Sequence, residues 1–284
     1  MLRGDPVDGT FAHERHAPPP GIAGFVEHFW AVTWDVPGPP AVREVLSHPS
    51  VHVVIERGRS AITGVPRGRF VRVLEGVGQV FGIKFLPGGF RPLVTWPVSR
   101  LTDGAIPLAE VFAAGAAALE RDVLAAATTA EQIAVAAAVL ARALPPARDP
   151  VVDRVAALVA QIRDDRELRR VEDVVPLAGT SLRALQRLFS DYVGVSPKWV
   201  IRRYRLHDAI ERMDAGDVVD WPSLALDLGY FDQAHFIRDF KALVGRTPGA
   251  YGIGPPHPAA RRTPPRGAAP RSRRPGADPA VHRR

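Results

Sequence analysis

An internal repeat in the last third of the sequence constrains the fold more than any other feature. The segments LQRLF (185–189) and GVSP (194–197) recur as FIRDF (236–240) and GRTP (245–248), at a constant offset of 51 residues. The matched positions are Arg187 and Arg238, Phe189 and Phe240, Gly194 and Gly245, and Pro197 and Pro248. Because self-similarity at a fixed offset indicates a repeated structural unit, the sequence predicts two copies of one local fold.

Each copy carries the signals of a helix that begins with a polar cap and ends at a glycine. Ser181 and Asp232, again 51 residues apart, can accept the free backbone N–H groups at the start of a helix. Gly194 and Gly245 suit the left-handed residue that ends a helix. A cap residue followed by proline predicts the start of another helix in each copy. These pairs are Ser196-Pro197 and Thr247-Pro248.

A shorter apolar segment precedes each capped helix, at residues 171–178 and 223–228. The order of short helix, tight turn and second helix is that of a helix-turn-helix unit, whose second helix enters the DNA major groove. Residues 197–215 lack helix breakers after the proline and predict a connecting helix of about 28 Å. A rigid spacer of this length would hold the two second helices near one DNA turn apart, about 34 Å.

Polar side chains are predicted on the outward faces of the two second helices, because apolar residues at helical spacing occupy the inward faces. Arginine and glutamine carry paired donors and acceptors that match guanine and adenine edges. The outward positions are Arg183, Ala184, Gln186 and Arg187 in the first copy and Gln233, Ala234, His235 and Arg238 in the second. Nearby cations that we expect to contact phosphates are Lys198, Arg202, Arg203, Arg205, Lys241 and Arg246.

The formal net charge of +7 does not by itself indicate a DNA-binding protein, because its location matters. Residues 252–284 hold eight arginines and one acid, whereas residues 1–251 hold 29 basic and 29 acidic residues. Attraction of the latter part to phosphate must therefore come from the distribution of its charge. The tail has almost no large apolar side chains and is predicted to be disordered; its arginines either add non-specific DNA affinity or are simply solvated.

The two repeats resemble the DNA-binding module of the AraC/XylS family of bacterial transcription regulators. The second repeat, LALDLGYFDQAHFIRDFKALVGRTPGAY, looks almost letter for letter like the family signature, and SLRALQRLFSDYVGVSPKWVIRRYRL resembles its first unit. Two residues depart from the family pattern. Pro176 removes one backbone hydrogen bond from the first supporting helix, and Val175 lies where the family usually has alanine. Carried over by position, the resemblance implies base or backbone contacts from Arg183, Gln186, Arg187, Gln233, His235 and Arg238.

The same polar residues also allow a structural interpretation. Arg187 or Arg238 could pair with an acid one turn away, such as Asp191 or Asp239, rather than contact a base. His235 could pack between helices. The sequence leaves both interpretations open.

The first hundred residues predict a β-rich domain. Short apolar or alternating runs, separated by Gly and Pro clusters, are typical of strands and occur at residues 25–34, 51–56, 70–74 and 80–86. Residues 106–144 are rich in alanine and predict two helices that are broken near Thr128. More weakly, this part resembles the compact β-rich sensor domains found ahead of AraC-type modules.

We therefore expect a multidomain α+β fold, with an N-terminal β-rich domain of barrel or sandwich type and an all-α C-terminal domain in which a long helix joins two helix-turn-helix units. The expected divisions are a sensor or effector domain at 1–104, a helical connector at 105–145, the DNA-binding domain at 146–252 and a basic Pro- and Arg-rich tail at 253–284.

Two features of the N-terminal part suggest ligand sites without establishing them. Imidazole and carboxylate suit several divalent metals, so His28, His48, His52 and Glu56 could form a metal site, although histidines without metal are the commoner case. The aromatic side chains in this part belong either to the core or to a small-molecule pocket. They are Trp30, Trp34, Trp96 and those of residues 81–90. We expect neither a metal nor a cofactor.

The absence of cysteine excludes a disulfide, a thiolate zinc site and a thiol nucleophile. It thereby excludes an alkylation-repair methyltransferase, which needs an acceptor cysteine. The remaining alternatives are a metal-dependent enzyme that uses the N-terminal histidines and an interaction module that has lost DNA binding; we expect no enzymatic activity. The expected partner is double-stranded DNA, with a small-molecule effector, RNA polymerase and a second copy of the chain as further candidates. We expect a cytoplasmic protein, because no apolar run approaches the roughly 20 residues of a membrane span and no secretory signal begins the chain.

Overall fold

A computed structural model describes residues 9–215 and 221–252, so the predicted tail at 253–284 lies outside the described residues. The N-terminal part is an antiparallel sheet in the order β1-β2-β5-β3-β4-β6. Its strands are β1 (Thr10–His16), β2 (Val26–Val45), β3 (His52–Ile55), β4 (Ala61–Thr63), β5 (Phe70–Phe85) and β6 (Ala105–Ile106). Short 3-10 helices cover Arg91–Leu93 and Val98–Leu101.

Strand β5 is longer than predicted, because it runs through the glycines that separate the runs at 70–74 and 80–86. Gly78 faces Trp34 across the sheet, and Gly82 faces Trp30. A Cβ atom at Gly78 would lie 2.2 Å from the Trp34 ring, and one at Gly82 would lie 1.9 Å from the Trp30 ring. These two glycines therefore make room for indole rings within a strand and do not mark turns.

One face of the sheet packs on helices to form the largest apolar core. Phe29, Phe81 and Ile83 belong to this core together with Leu119 and Leu140 from the helices. These helices are α1 (Ala109–Phe112), α2 (Gly115–Ala125) and α3 (Thr129–Ala143). The predicted break between α2 and α3 is confirmed, and Thr128 caps α3 by accepting a hydrogen bond from the Glu131 backbone N–H at 3.2 Å.

The described residues from Pro150 onward are mainly helical and contribute to two further apolar cores. One core surrounds Leu185 and Phe189, and the other surrounds Phe236 and Phe240. The long helix α7 contributes to both, through Val200 to the first and Leu206 to the second. The helices are α4 (Pro150–Asp164), α5 (Val171–Ala178), α6 (Leu182–Tyr192), α7 (Pro197–Asp214), α8 (Trp221–Asp227), α9 (Gln233–Val244) and α10 (Pro248–Gly252).

The strands β1–β6 and the segments between them, called the sheet domain below, pack directly against both helical cores. Val65 lies in the core around Phe189, and Leu46 lies in the core around Phe240. The Thr102 hydroxyl donates to the Gly194 carbonyl at 2.5 Å. No helix within the described ranges is long and apolar enough to cross a membrane.

Candidate nucleic-acid interface

The local structure of the two repeats follows the predicted caps. The Ser181 hydroxyl accepts a hydrogen bond from the Ala184 backbone N–H at 3.2 Å, and the Asp232 carboxylate accepts one from the His235 N–H at 2.6 Å. Gly245 ends α9 with a φ of 80°, in the left-handed region where a side chain would be strained. Helices α5 and α6 therefore form the first helix-turn-helix unit, and α8 and α9 form the second.

The second helix of each unit buries its apolar side and exposes its polar side. Leu185 and Phe189 of α6 are fully buried, as are Phe236 and Phe240 of α9. The predicted DNA-contacting residues that are exposed are Arg183, Gln186, Arg187 and Arg238, while Gln233 is half-buried at the start of α9. Both helices thus present polar, arginine-bearing surfaces to solvent.

Neither Arg187 nor Arg238 takes the structural role that the sequence left open. Among the described residues, neither arginine forms an ion pair, and Asp239 instead pairs with Arg202 at 3.3 Å. Arg187 and Asp191 lie together at the edge of a small cavity of about 180 Å³ beside α6. The guanidinium groups of Arg187 and Arg238 are therefore available to contact a ligand.

Two residues expected to contact DNA, Arg202 and His235, lie between α7 and α9 and are partly exposed. The Arg202 guanidinium is 3.2 Å from His235 Nε2 and 3.3 Å from the Asp239 carboxylate. The His235 ring packs edge-on against Tyr230, with 5.2 Å between ring centroids. Burial, reinforced by Asp239, raises the pKa of the Tyr230 hydroxyl above its usual value. The packing interpretation of His235 thus matches its surroundings, and sequence analysis missed the partners Tyr230 and Asp239.

The expectation that Arg203 and Arg205 contact phosphates is wrong. Arg203 is 1% exposed and Arg205 is 0% exposed. Arg205 donates to the backbone carbonyls of Ile162 and Asp165 at the end of α4, and it pairs with Asp208 at 3.0 Å. These arginines are buried because α7 packs against neighbours on several sides, so fewer of its positions reach solvent than on a surface helix.

The Arg203 guanidinium joins the long helix to the sheet domain. It donates to the Arg67 carbonyl at 3.1 Å and lies 4.5 Å from the Trp199 ring centroid. Burial lowers its pKa to about 10, which still leaves the side chain charged at neutral pH. Arg203 therefore acts in the packing of the two domains.

Three of the expected phosphate contacts remain near the surface. Lys198 is exposed in the first turn of α7, and Lys241 is exposed on α9. Arg246 is half-buried, with its guanidinium 5.8 Å from the Tyr251 ring centroid. All three lie at or close to an end of α7 or α9, where positive charge is adjacent to the exposed helical surfaces.

Phe231 is an additional candidate that sequence analysis missed. It lies in the turn before the cap of α9, and 88% of its surface is exposed. The 51-residue offset places Thr180 at the same position of the first unit. A comparison of the two copies would therefore have identified Phe231, because an aromatic side chain replaces a polar one. The exposed ring is thus free to contact a ligand that approaches the start of α9.

The side chains considered for a metal site have separate partners. The His48 ring stacks on His207, with 4.6 Å between centroids, while the His52 Nδ1 accepts from the Trp30 indole at 3.2 Å. Glu56 pairs with Arg72. Burial lowers the pKa of His52 and of His207 to about 3, which keeps both rings neutral. Within the described ranges, no group of three or more metal-ligating side chains is present.

The larger cavity near the sheet domain does not involve the tryptophans. It measures about 570 Å³ and lies between α2 and α3, where Leu119, Val135 and Val139 contribute apolar surface and Asp122 and Arg142 contribute charge. Trp30 and Trp34 instead lie over the glycines of β5.

Two family models match separate parts of the chain. Residues 14–107 match a domain of unknown function (DUF6597), and residues 176–252 match a helix-turn-helix domain. The solved structure of ToxT from Vibrio cholerae is similar at 13% identity, with 86% of this chain and 97% of that chain covered and a TM-score of 0.39. ToxT bound to (E)-4-(8-methylnaphthalen-1-yl)but-3-enoic acid is similar at 12% identity, with 86% and 98% covered and a TM-score of 0.37. A search of curated proteins found no match.

The paired units and the matched segments define the class of this protein as a DNA-binding transcription regulator. The chain carries an AraC-type helix-turn-helix domain behind an N-terminal DUF6597 domain. The resemblance drawn from the repeated sequence is thereby confirmed.

Proposed function

We propose that the chain binds a bipartite site on double-stranded DNA, with α6 and α9 in successive major grooves. The observation that carries this proposal is the exposure of Arg187 and Arg238 at matched positions of the two units, with no acid paired to either among the described residues. The 18 residues of α7 span about 27 Å, which suits two helices separated by about one turn of DNA.

The proposed base contacts come from the exposed faces of the two helices. Arginine fits the guanine edge and glutamine fits the adenine edge in the major groove. These residues are Arg183, Gln186 and Arg187 in α6 and Gln233 and Arg238 in α9. Lys198, Lys241 and Arg246 would contact phosphates, which position the protein without reading sequence.

Phe231 adds an apolar contact to this interface. Its ring precedes the N-terminal end of α9, and the N-terminal residues of a recognition helix are those that approach base edges. A thymine methyl group or a sugar is an apolar partner for such a ring. The exposure of 88% of this side chain supports the proposed role, because the ring is accessible to DNA.

The N-terminal domain is proposed to control the two units through direct contact. It reaches the first core through Val65 and the second through Leu46, so a small-molecule effector that shifts the sheet domain would change both units. RNA polymerase and a second copy of the chain are candidate protein partners. We propose that the chain divides into the segments 1–104, 105–145, 146–252 and 253–284. We also propose a cytoplasmic location. We propose no catalytic activity, since regulators of this class typically act by binding.

Selection of bound sequences from random duplex DNA by the full chain tests the proposal. We expect one enriched site with two conserved blocks about one helical turn apart. Arg187→Ala should weaken binding by about 1–3 kcal/mol and relax one block, and Arg238→Ala should do the same to the other block. Selection that enriches no duplex sequence, or variants that leave both blocks unchanged, would contradict the proposed function.

A further inference from the structure

Arg202, His235 and Asp239 form a polar cluster, which we call the α7–α9 cluster, between the connecting helix and the second recognition helix. Arg202 Nη2 lies 3.2 Å from His235 Nε2, and Arg202 Nη1 lies 3.3 Å from Asp239 Oδ2. His235 Nε2 is 3.7 Å from the same carboxylate oxygen. One guanidinium on α7 therefore contacts two successive turns of α9.

The cluster rests on an aromatic support from the turn of the second unit. The Arg202 guanidinium lies 5.8 Å from the Tyr230 ring centroid, and His235 packs edge-on against the same ring. The Tyr230 hydroxyl is buried without a hydrogen-bond partner among the described residues. The turn, the connecting helix and α9 thus meet at one point.

We propose that Arg202 and Asp239 are positioning residues, which set the angle at which α9 enters the major groove. This inference rests on the proposed DNA-binding function and assigns Arg202 a role other than the phosphate contact expected from the sequence. A planar guanidinium that contacts two side chains at once restricts both rotation and sliding of α9 relative to α7. Asp239 lies one residue from Arg238, so a change in this angle would move the Arg238 side chain at the groove.

A phosphate contact and a positioning role for Arg202 predict different results for two substitutions, Arg202→Lys and Asp239→Asn. A phosphate contact depends mainly on positive charge, so Arg202→Lys should retain it, whereas lysine lacks the planar fork needed for two partners. Replacing Asp239 by asparagine removes a negative charge near DNA, so simple electrostatics predicts tighter binding. The positioning role predicts weaker discrimination of the correct sequence in both variants.

The test measures the affinity of the full chain, as wild type, Arg202→Lys, Arg202→Ala and Asp239→Asn, for its selected site over a range of salt concentrations. Sites with substitutions in either block are measured in parallel. We expect each variant to lose about tenfold in preference for the block read by α9, to keep its preference for the block read by α6, and to keep the slope of affinity against salt. Lys198→Ala, on the exposed first turn of α7, is the matched control and should weaken all sequences equally and lower that slope by about one unit.

The thermal unfolding midpoint of each variant separates misplacement of α9 from loss of folded protein. Asp239→Asn is the mildest change, and a folded Asp239→Asn protein with wild-type block preference would overturn the positioning role. Rescue by Arg202→Lys together with a reduced salt slope in Arg202→Ala would also overturn it, in favour of a phosphate contact. A wild-type chain that selects no duplex site overturns the proposed function and this inference together.

Discussion

The two helix-turn-helix units have matched cores but different neighbours. In the first unit, the Ser190 hydroxyl of α6 donates a hydrogen bond to Ser99 Oγ of the sheet domain at 3.1 Å, and the Gly194 carbonyl accepts one from Thr102. In the second unit, α9 is held to α7 through Arg202. A repeated sequence therefore specifies the same local unit twice, whereas the orientation of each recognition helix depends on contacts that are not repeated.

The sheet domain reaches the matched position of the second unit, Gly245, with a different side chain. A Cβ atom at Gly245 would lie 2.8 Å from the Arg69 guanidinium carbon, so Arg69 approaches the end of α9 closely. Arg69 itself pairs with Glu44 of the same domain. The sheet domain therefore contacts both recognition helices at their C-terminal ends, through Ser99 and Thr102 at α6 and through Arg69 at α9.

The largest expected effect tests whether the two cores are equivalent. Phe189→Ala and Phe240→Ala should each lower the free energy of unfolding by about 3–5 kcal/mol, because both rings are completely buried and their removal leaves cavities. Urea unfolding of the full chain measures the change. Leu182→Ala, at a position that is 39% exposed, is the control and should cost far less. A small loss for only one of the phenylalanines would break the proposed equivalence of the cores.

An intermediate effect tests the irregular helix of the first unit. Pro176 lies inside α5, where it removes the backbone hydrogen bond that would reach the Glu172 carbonyl. Pro176→Ala should therefore raise the free energy of unfolding by about 1 kcal/mol, with Leu177→Ala, at a 48% exposed position, as the control. Differential scanning calorimetry is the measurement. A destabilised Pro176→Ala protein would show that the proline ring supplies packing that outweighs the lost hydrogen bond.

The smallest expected effect concerns the turn before α9. Phe231→Thr introduces the residue type of the first unit and should reduce affinity for the selected DNA site about threefold, without changing the unfolding midpoint. Leu226→Ala is the control, because Leu226 is 61% exposed but lies on the supporting helix α8. Unchanged DNA affinity for Phe231→Thr, or an equal loss for Leu226→Ala, would remove Phe231 from the proposed interface.

Much of the helical part was predictable because its signals are local. Three caps each accept a hydrogen bond from a nearby backbone N–H: Ser181, Ser196 and Asp232. Gly245 ends α9 in the left-handed conformation. These roles involve only groups within a few residues, so they follow from residue type and spacing alone. The strands were less predictable, since the glycines of β5 take their meaning from tryptophans on a neighbouring strand about 50 residues away in sequence. Strand β1 was not predicted at all, because its side chains are mostly exposed and polar.

The sequence alone determined the repeated unit, its caps and the polar faces of α6 and α9, because these depend on the helical period and on nearby backbone groups. The tertiary structure decided the surroundings of the basic side chains of α7: Lys198 is exposed, Arg202 contacts α9, and Arg203 and Arg205 are buried. The physical reason is that α7 contacts the sheet domain and both helical cores at once. The neighbours of such a helix decide which of its side chains face solvent. The spacing of apolar residues within α7 does not specify where those neighbours lie.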